Sequence, residues 1–158
     1  MLCISRLFPR REVINGCTNP APLLSRWKLL CTPYFNVFLH CFHRSDEDRE
    51  MHSHPWFFIS IILWRGYVEA RARPDLRRQL RAGNKTLCFN APETIERKRF
   101  FPGAILFRPA WWAHRVELVD GRPSWSLVIT SRKACKWGFF TADGWIHDKE
   151  FHLARGCE

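Results

Sequence analysis

The segment Met51-His52-Ser53-His54 sets two imidazoles two residues apart. In an extended strand residues i and i+2 project from one face, so both rings can reach a single metal ion. Neutral ring nitrogens suit first-row divalent cations, so the pair reads as the opening of a metal site. Glu50 alternates with the pair along the same strand and offers either a carboxylate beside them or a surface acid in the acidic stretch Ser45-Asp46-Glu47-Asp48. His40 and His43 are three apart, point to different faces of a strand and make a weaker pair.

Histidines do chemistry only where a scaffold aims them. The run from Trp56 to Trp64 is apolar or small throughout and rich in aromatic and branched side chains, which reads as a strand buried on both faces. Tyr34 to His43, Tyr67 to Arg71, Thr86 to Asn90, Ile95 to Phe101, Gly103 to Arg108 and His114 to Leu118 are further strand candidates. Beyond Asp120-Gly121, a hairpin signal, Trp125 to Thr130 is expected to pair back on His114 to Leu118. Lys136 to Thr141 and Trp145-Ile146 flank a turn at Ala142-Asp143-Gly144. Leu24, Trp27, Leu30 and Cys31 recur at helical spacing, so Leu23 to Cys31 reads as two turns of helix that Pro33 stops.

The fold class expected is therefore mainly β, a single small barrel. Residues 1–33 form an N-terminal arm with a short helix, 34–146 the barrel and 147–158 a tail, all in one domain. A chain of 158 residues buries roughly two thirds of its surface without disulfides and has no room for a second core. Thirteen Phe and eight Trp against two Met favour sheets over helical bundles. Seven scattered cysteines without a C-x-x-C suit reduced thiols, and with no signal peptide or membrane span in view the location expected is cytoplasmic. The net charge of +10 is scattered, so nucleic-acid or nucleotide binding rests on charge alone. The basic span from Arg71 to Lys85 has no aromatic residue for base stacking and reads as a solvated loop or short helix that contributes little to folding.

Two blocks resemble the cupin superfamily, whose members fold as a double-stranded β-helix and usually hold one divalent metal. His52, His54 and Gly66 match the first cupin motif, with Ile59 in place of its glutamate. Gly103, Pro109 and His114 match the second, with Trp111 in place of its glycine and Leu118 in place of its asparagine. The resemblance implies a three-histidine site of His52, His54 and His114, with Fe(II) favoured and Zn, Mn or Ni as alternatives. Without the glutamate the ion keeps its full charge, becomes a stronger Lewis acid and favours an anionic chelating substrate. The thiol dioxygenases also lack that glutamate, but the similarity ends at those three positions. Tyr34 and Tyr67 are the only tyrosines, and neither follows the second motif.

Along the cupin path, Trp56, Phe58, Ser60, Ile62 and Trp64 share the parity of His54 and would line the lumen, or else simply fill the core. Trp111 and Trp112 would gate the mouth or else pack against the neighbouring hairpin, and Arg108 and Arg115 would hold a carboxylate or phosphate there or else be surface residues. The leading functional expectation is a metal-dependent, dioxygenase-like enzyme acting on a small anionic or aromatic molecule. The alternative is a non-catalytic cupin that binds a ligand, senses it or mediates interaction, and a homodimer is a further expectation.

Overall fold

In a computed structural model that describes residues 10–15, 19, 21–46 and 50–156, the chain builds twelve strands and two short helices. The strands are β1 (Arg10–Asn15), β2 (Pro22–Cys31), β3 (Phe35–Phe42), β4 (Met51–His52), β5 (Phe58–Trp64), β6 (Tyr67–Ala72), β7 (Ile95–Phe100), β8 (Ile105–Arg108), β9 (His114–Leu118), β10 (Ser124–Ser131), β11 (Gly138–Thr141) and β12 (Gly144–His147). Helix α1 (Pro74–Arg81) follows β6, and α2 (Asp148–Ala154) follows β12.

All pairings are antiparallel and give two six-stranded sheets, ordered β1-β2-β3-β10-β5-β8 and β12-β11-β4-β9-β6-β7. Their inner faces meet in a jelly-roll-like sandwich. Ile62 and Leu106 of the first sheet pack with Tyr67, Phe100, Val116 and Leu118 of the second. Strand β10 alternates buried and half-buried residues over its whole length, the period-2 signature of a strand with one face turned inward. Outside the second sheet, Leu76 and Leu80 of α1 join Met51, Ala70, Ala72, Phe89, Ala113 and Phe140 in a separate cluster.

Several sequence expectations need correction. Leu23 to Cys31 is strand β2 and not a helix. Its i, i+3 apolar pattern is overridden because β2 bonds to β1 on one side and β3 on the other, burying Leu24 on the inner face while Trp27 stacks on Trp125 on the opposite one. Residues 10–15 and 22–31 thus extend the first sheet and are not an arm, whereas residues 1–9 and 16–18 of the expected arm lie outside the described residues. Strand β10 does not pair back on β9; it crosses to the first sheet between β3 and β5, after a turn in which Asp120 takes φ 53°. Thr86 to Asn90 is irregular chain, anchored by buried Phe89.

The basic span divides in two. Arg73, Arg78, Arg81 and Lys85 are exposed, but Arg71 is buried in β6 with its Nη2 donating to Glu96 Oε1 at 2.9 Å. Leu76 and Leu80 give α1 an apolar stripe, so this span is a structural part of the molecule. At Gly66, between β5 and β6, φ is +79° and a Cβ would stand 2.0 Å from the Phe100 carbonyl oxygen, which explains the glycine at that motif position.

Candidate metal centre

His52 and His114 are direct cross-strand partners on β4 and β9, and His54 follows two residues after His52. Each of the three rings offers a nitrogen, and these atoms all lie within 4.8 Å of one another. Ring centroids are 5.0 Å apart for His52 with both His54 and His114, and 5.1 Å apart for His54 with His114. The Nε2 atoms of His54 and His114 are 2.9 Å apart. Two nitrogens bound to one ion at about 2.1 Å, near a right angle, stand about 3 Å apart, so this spacing fits a shared cation.

His114 is oriented from behind by a residue absent from the sequence expectations. Glu69, on β6, is 1% exposed. Its Oε1 lies 2.8 Å from His114 Nδ1 and accepts from Trp112 Nε1 at 3.2 Å; Arg108 donates to both carboxylate oxygens, at 2.7 and 2.6 Å. Burial alone would raise the pKa of Glu69, but hydrogen bonds from His114 and Arg108 outweigh it and hold the group at about 2. A carboxylate can only accept, so the His114 proton sits on Nδ1 and the Nε2 lone pair faces His54.

Burial lowers the pKa of His52 to about 4, with the Asp46 carboxylate opposing and His114 adding to the shift. It also holds His54 well below its ordinary value, and the charges of His52, His114, Arg26 and His40 push in the same direction. Both rings are therefore neutral at pH 7, the state in which imidazole binds a metal. Asp46 Oδ2 is 3.9 Å from His52 Nδ1 and accepts from Val116 N at 2.6 Å, which ties the acidic segment to β9.

The three histidines open onto a cavity of about 400 Å³ between the sheets. Trp56, Phe58 and Ser60 line it. Ile62 instead packs in the apolar core beyond it, and Trp64 is exposed, because a one-residue register shift pairs Ile62 with Ser126 but Trp64 with Trp125 and turns Trp64 to the outer face. Trp112 is buried over Arg108, 4.6 Å from ring centroid to guanidinium carbon, and does not stand at a mouth. Arg108 is committed to Glu69, and Arg115 pairs with Glu117 at 2.8 Å. Glu50 Oε2 accepts from Arg155 at 2.9 Å and lies outside the histidine group. His43 Nε2 is 2.8 Å from Ser25 Oγ, while His40 lines the cavity.

Phe58 and not Ile59 faces the histidines. Its ring centroid is 4.9 Å from His54 and 5.8 Å from His114. Ile59 has the opposite parity on β5 and pairs outside the lumen with Phe107 and Ile129.

No protein-family model and no curated protein sequence matches the chain. Solved structures do. The polyketide cyclase RemF from Streptomyces resistomycificus is similar with a TM-score of 0.51 at 15% identity, over 78% of this chain and 73% of that one. A cupin-2 domain protein from Rhodospirillum rubrum, Rru_A2000, reaches 0.58 at 9% identity, over 95% and 83%. The chain has a cupin fold. Fe(II) HppE is also similar, at 0.52 and 12% identity, over 77% of this chain and 56% of that one. Enzymes thus occur among the cupins of this shape, and identities this low establish the fold alone. No helix of the described residues is long and apolar enough to cross a membrane.

Proposed function

We propose that this cupin is a metal-dependent enzyme in which His52, His54 and His114 hold one divalent first-row ion, Fe(II) by preference, beside a cavity that takes a small anionic or aromatic molecule. The observation that carries the reading is the convergence of three imidazole nitrogens within 4.8 Å on the wall of a mostly apolar cavity with several aromatic side chains, one of the imidazoles oriented by a buried carboxylate. When bound, the metal would supply Lewis acidity or O2 activation, undiminished by any carboxylate ligand. The chain's own part is to present the neutral imidazoles of His52 and His54, keep His114 in one tautomer through Glu69, and line the cavity with the apolar rings of Phe58, Phe38 and Phe139.

Elemental analysis of protein purified without chelators is the direct test. About one first-row metal per chain is expected, with none retained by His114→Ala. Oxygen consumption by the Fe(II)-loaded protein with a panel of thiols, ring diols and 2-oxoacids then separates enzyme from binder. Metal-free protein whose thermal midpoint does not respond to Fe(II), Mn(II) or Zn(II) would refute the metal site.

A further inference from the structure

Across the cavity from the histidines, the first sheet carries a polar patch that metal binding does not use. Arg26 on β2, His40 on β3 and Ser126 on β10 are successive cross-strand partners, and all three line the cavity. Arg26 Nε donates to His40 Nε2 at 3.1 Å, and the guanidinium lies 5.0 Å from the Phe38 ring centroid. These contacts fix the plane of the group while its two Nη atoms make no hydrogen bond among the described residues. Glu12 Oε2, at the half-exposed rim, is 3.8 Å from Nη1 and closer, at 3.4 Å, to Lys28 Nζ. Ser126 Oγ is buried, in a residue 1% exposed, and has no hydrogen-bond partner among the described residues. A buried hydroxyl without a partner and, two strands away on the same cavity wall, a half-satisfied guanidinium are each unfavourable unless a ligand completes them.

We propose that the Nη edge of Arg26 is a carboxylate-binding subsite, with Ser126 two strands away on the same wall, so that the cavity takes a small organic monocarboxylate whose other end reaches the three histidines. The planar Nη pair matches the two oxygens of a carboxylate. A phosphate dianion would meet a single guanidinium whose charge Glu12 already offsets in part. Phe38, Phe58 and Val128 line the cavity with these groups and suit a hydrocarbon or aromatic spacer. Burial presses Arg26 toward its neutral form, with Glu12 opposing, and a bound anion would relieve that pressure. The identity of the distal anchor rests on the metal reading above, but the Arg26 subsite does not.

The test uses 3-phenylpropanoate and 3-phenylpropanamide as probes, titrated calorimetrically into metal-free and metal-loaded protein. In metal-free protein the acid should bind at least about 10-fold more tightly than the amide, as for a charge-assisted hydrogen-bonded pair. Arg26→Gln should abolish that preference, and Arg26→Lys, which keeps the charge without the fork, should weaken it. Ser126→Ala should weaken acid binding several-fold while leaving the thermal midpoint intact, because the hydroxyl has no protein partner to lose. Should Arg26→Gln fail to fold, the Lys and Ala variants carry the test. A preference seen only with metal bound and surviving Arg26→Gln would overturn the subsite and leave the metal site standing. So would equal affinities for acid and amide, or no acid binding to metal-free protein up to about 10 mM. Carboxylate preference in a protein that takes up no metal would support the subsite and refute the metal reading.

Discussion

His114 Nδ1 lies 2.8 Å from Oε1 of Glu69, and the same carboxylate accepts from Nε and Nη2 of Arg108. This joins the two sheets, because Arg108 comes from β8 in the first and Glu69 and His114 from β6 and β9 in the second. The group that orients a candidate ligand is therefore also the ion pair that ties the sandwich together beside the cavity. Site geometry and fold stability are coupled through one side chain.

Glu69→Gln should weaken metal affinity by about 10- to 100-fold, as for loss of a carboxylate partner behind a ligating histidine. It should also cost about 3–5 kcal/mol, since Arg108 is left buried without its counter-charge. The double variant Glu69→Gln with Arg108→Met should regain stability in urea unfolding but not metal affinity. Unchanged affinity in a folded Glu69→Gln protein would mean that packing alone orients the ring.

Acid should destabilise the metal-free protein in a way traceable to His40. Burial, aided by the nearby Arg26 charge, lowers its pKa to about 3. The unfolded chain takes up that proton near pH 6.5, whereas the folded one does not until about pH 3. Its stability contribution is thus complete above pH 6.5 and is lost as the pH falls toward 3. His40→Phe should flatten the decline in urea midpoint between pH 6.5 and 5 by up to about 1.4 kcal/mol per pH unit. An unaltered slope would assign the acid sensitivity to other groups.

Local signals that tertiary structure obeys were legible in the chain. His52 and His54 at strand spacing, the Gly66 and Gly103 turns with positive φ, and the alternation of His114 to Leu118 each follow from backbone geometry, and together they pointed to the two-sheet fold. What escaped depends on contacts distant in sequence. Glu69 sits in Tyr67-Val68-Glu69-Ala70-Arg71 as one polar residue of a strand, and only the sheet-to-sheet approach of Arg108 reveals its role. Arg26 was hidden by a helical pattern that pairing on both edges of β2 overrode. The one available cue was an inward-parity charge in an apolar strand, Glu69 included, which calls for a buried partner.

The two halves of the basic span should respond differently to charge reversal. Arg78 and Arg81 are exposed on α1, so Arg78→Glu with Arg81→Glu should shift stability by less than about 0.5 kcal/mol each. Arg77 donates to Glu96 Oε2 at 3.3 Å and lies 5.2 Å from the Trp112 ring centroid. Arg77→Glu would set two carboxylates together and expose that ring, with an expected cost of about 1–3 kcal/mol by urea denaturation. Equal effects at the two sites would mean that α1 is not docked as described.

Phe58→Glu and Ile59→Glu should differ in their metal responses. Counting along the first cupin motif reaches Ile59, but strand parity turns Ile59 to the outer face and Phe58 toward His54 and His114. Ile59→Glu should cost about 1–2 kcal/mol from lost apolar burial and leave metal affinity unchanged. Phe58→Glu removes a buried ring, at about 3–5 kcal/mol, and puts a carboxylate among neutral imidazoles. Without metal that group must protonate or stay buried and unpaired, which destabilises further. With Fe(II), Mn(II) or Zn(II) it becomes an anionic fourth ligand. The metal-induced rise in thermal midpoint should therefore exceed that of the wild-type protein. If added metal restores nothing to Phe58→Glu yet stabilises Ile59→Glu more than it stabilises the wild-type protein, the face assignment of β5 is wrong.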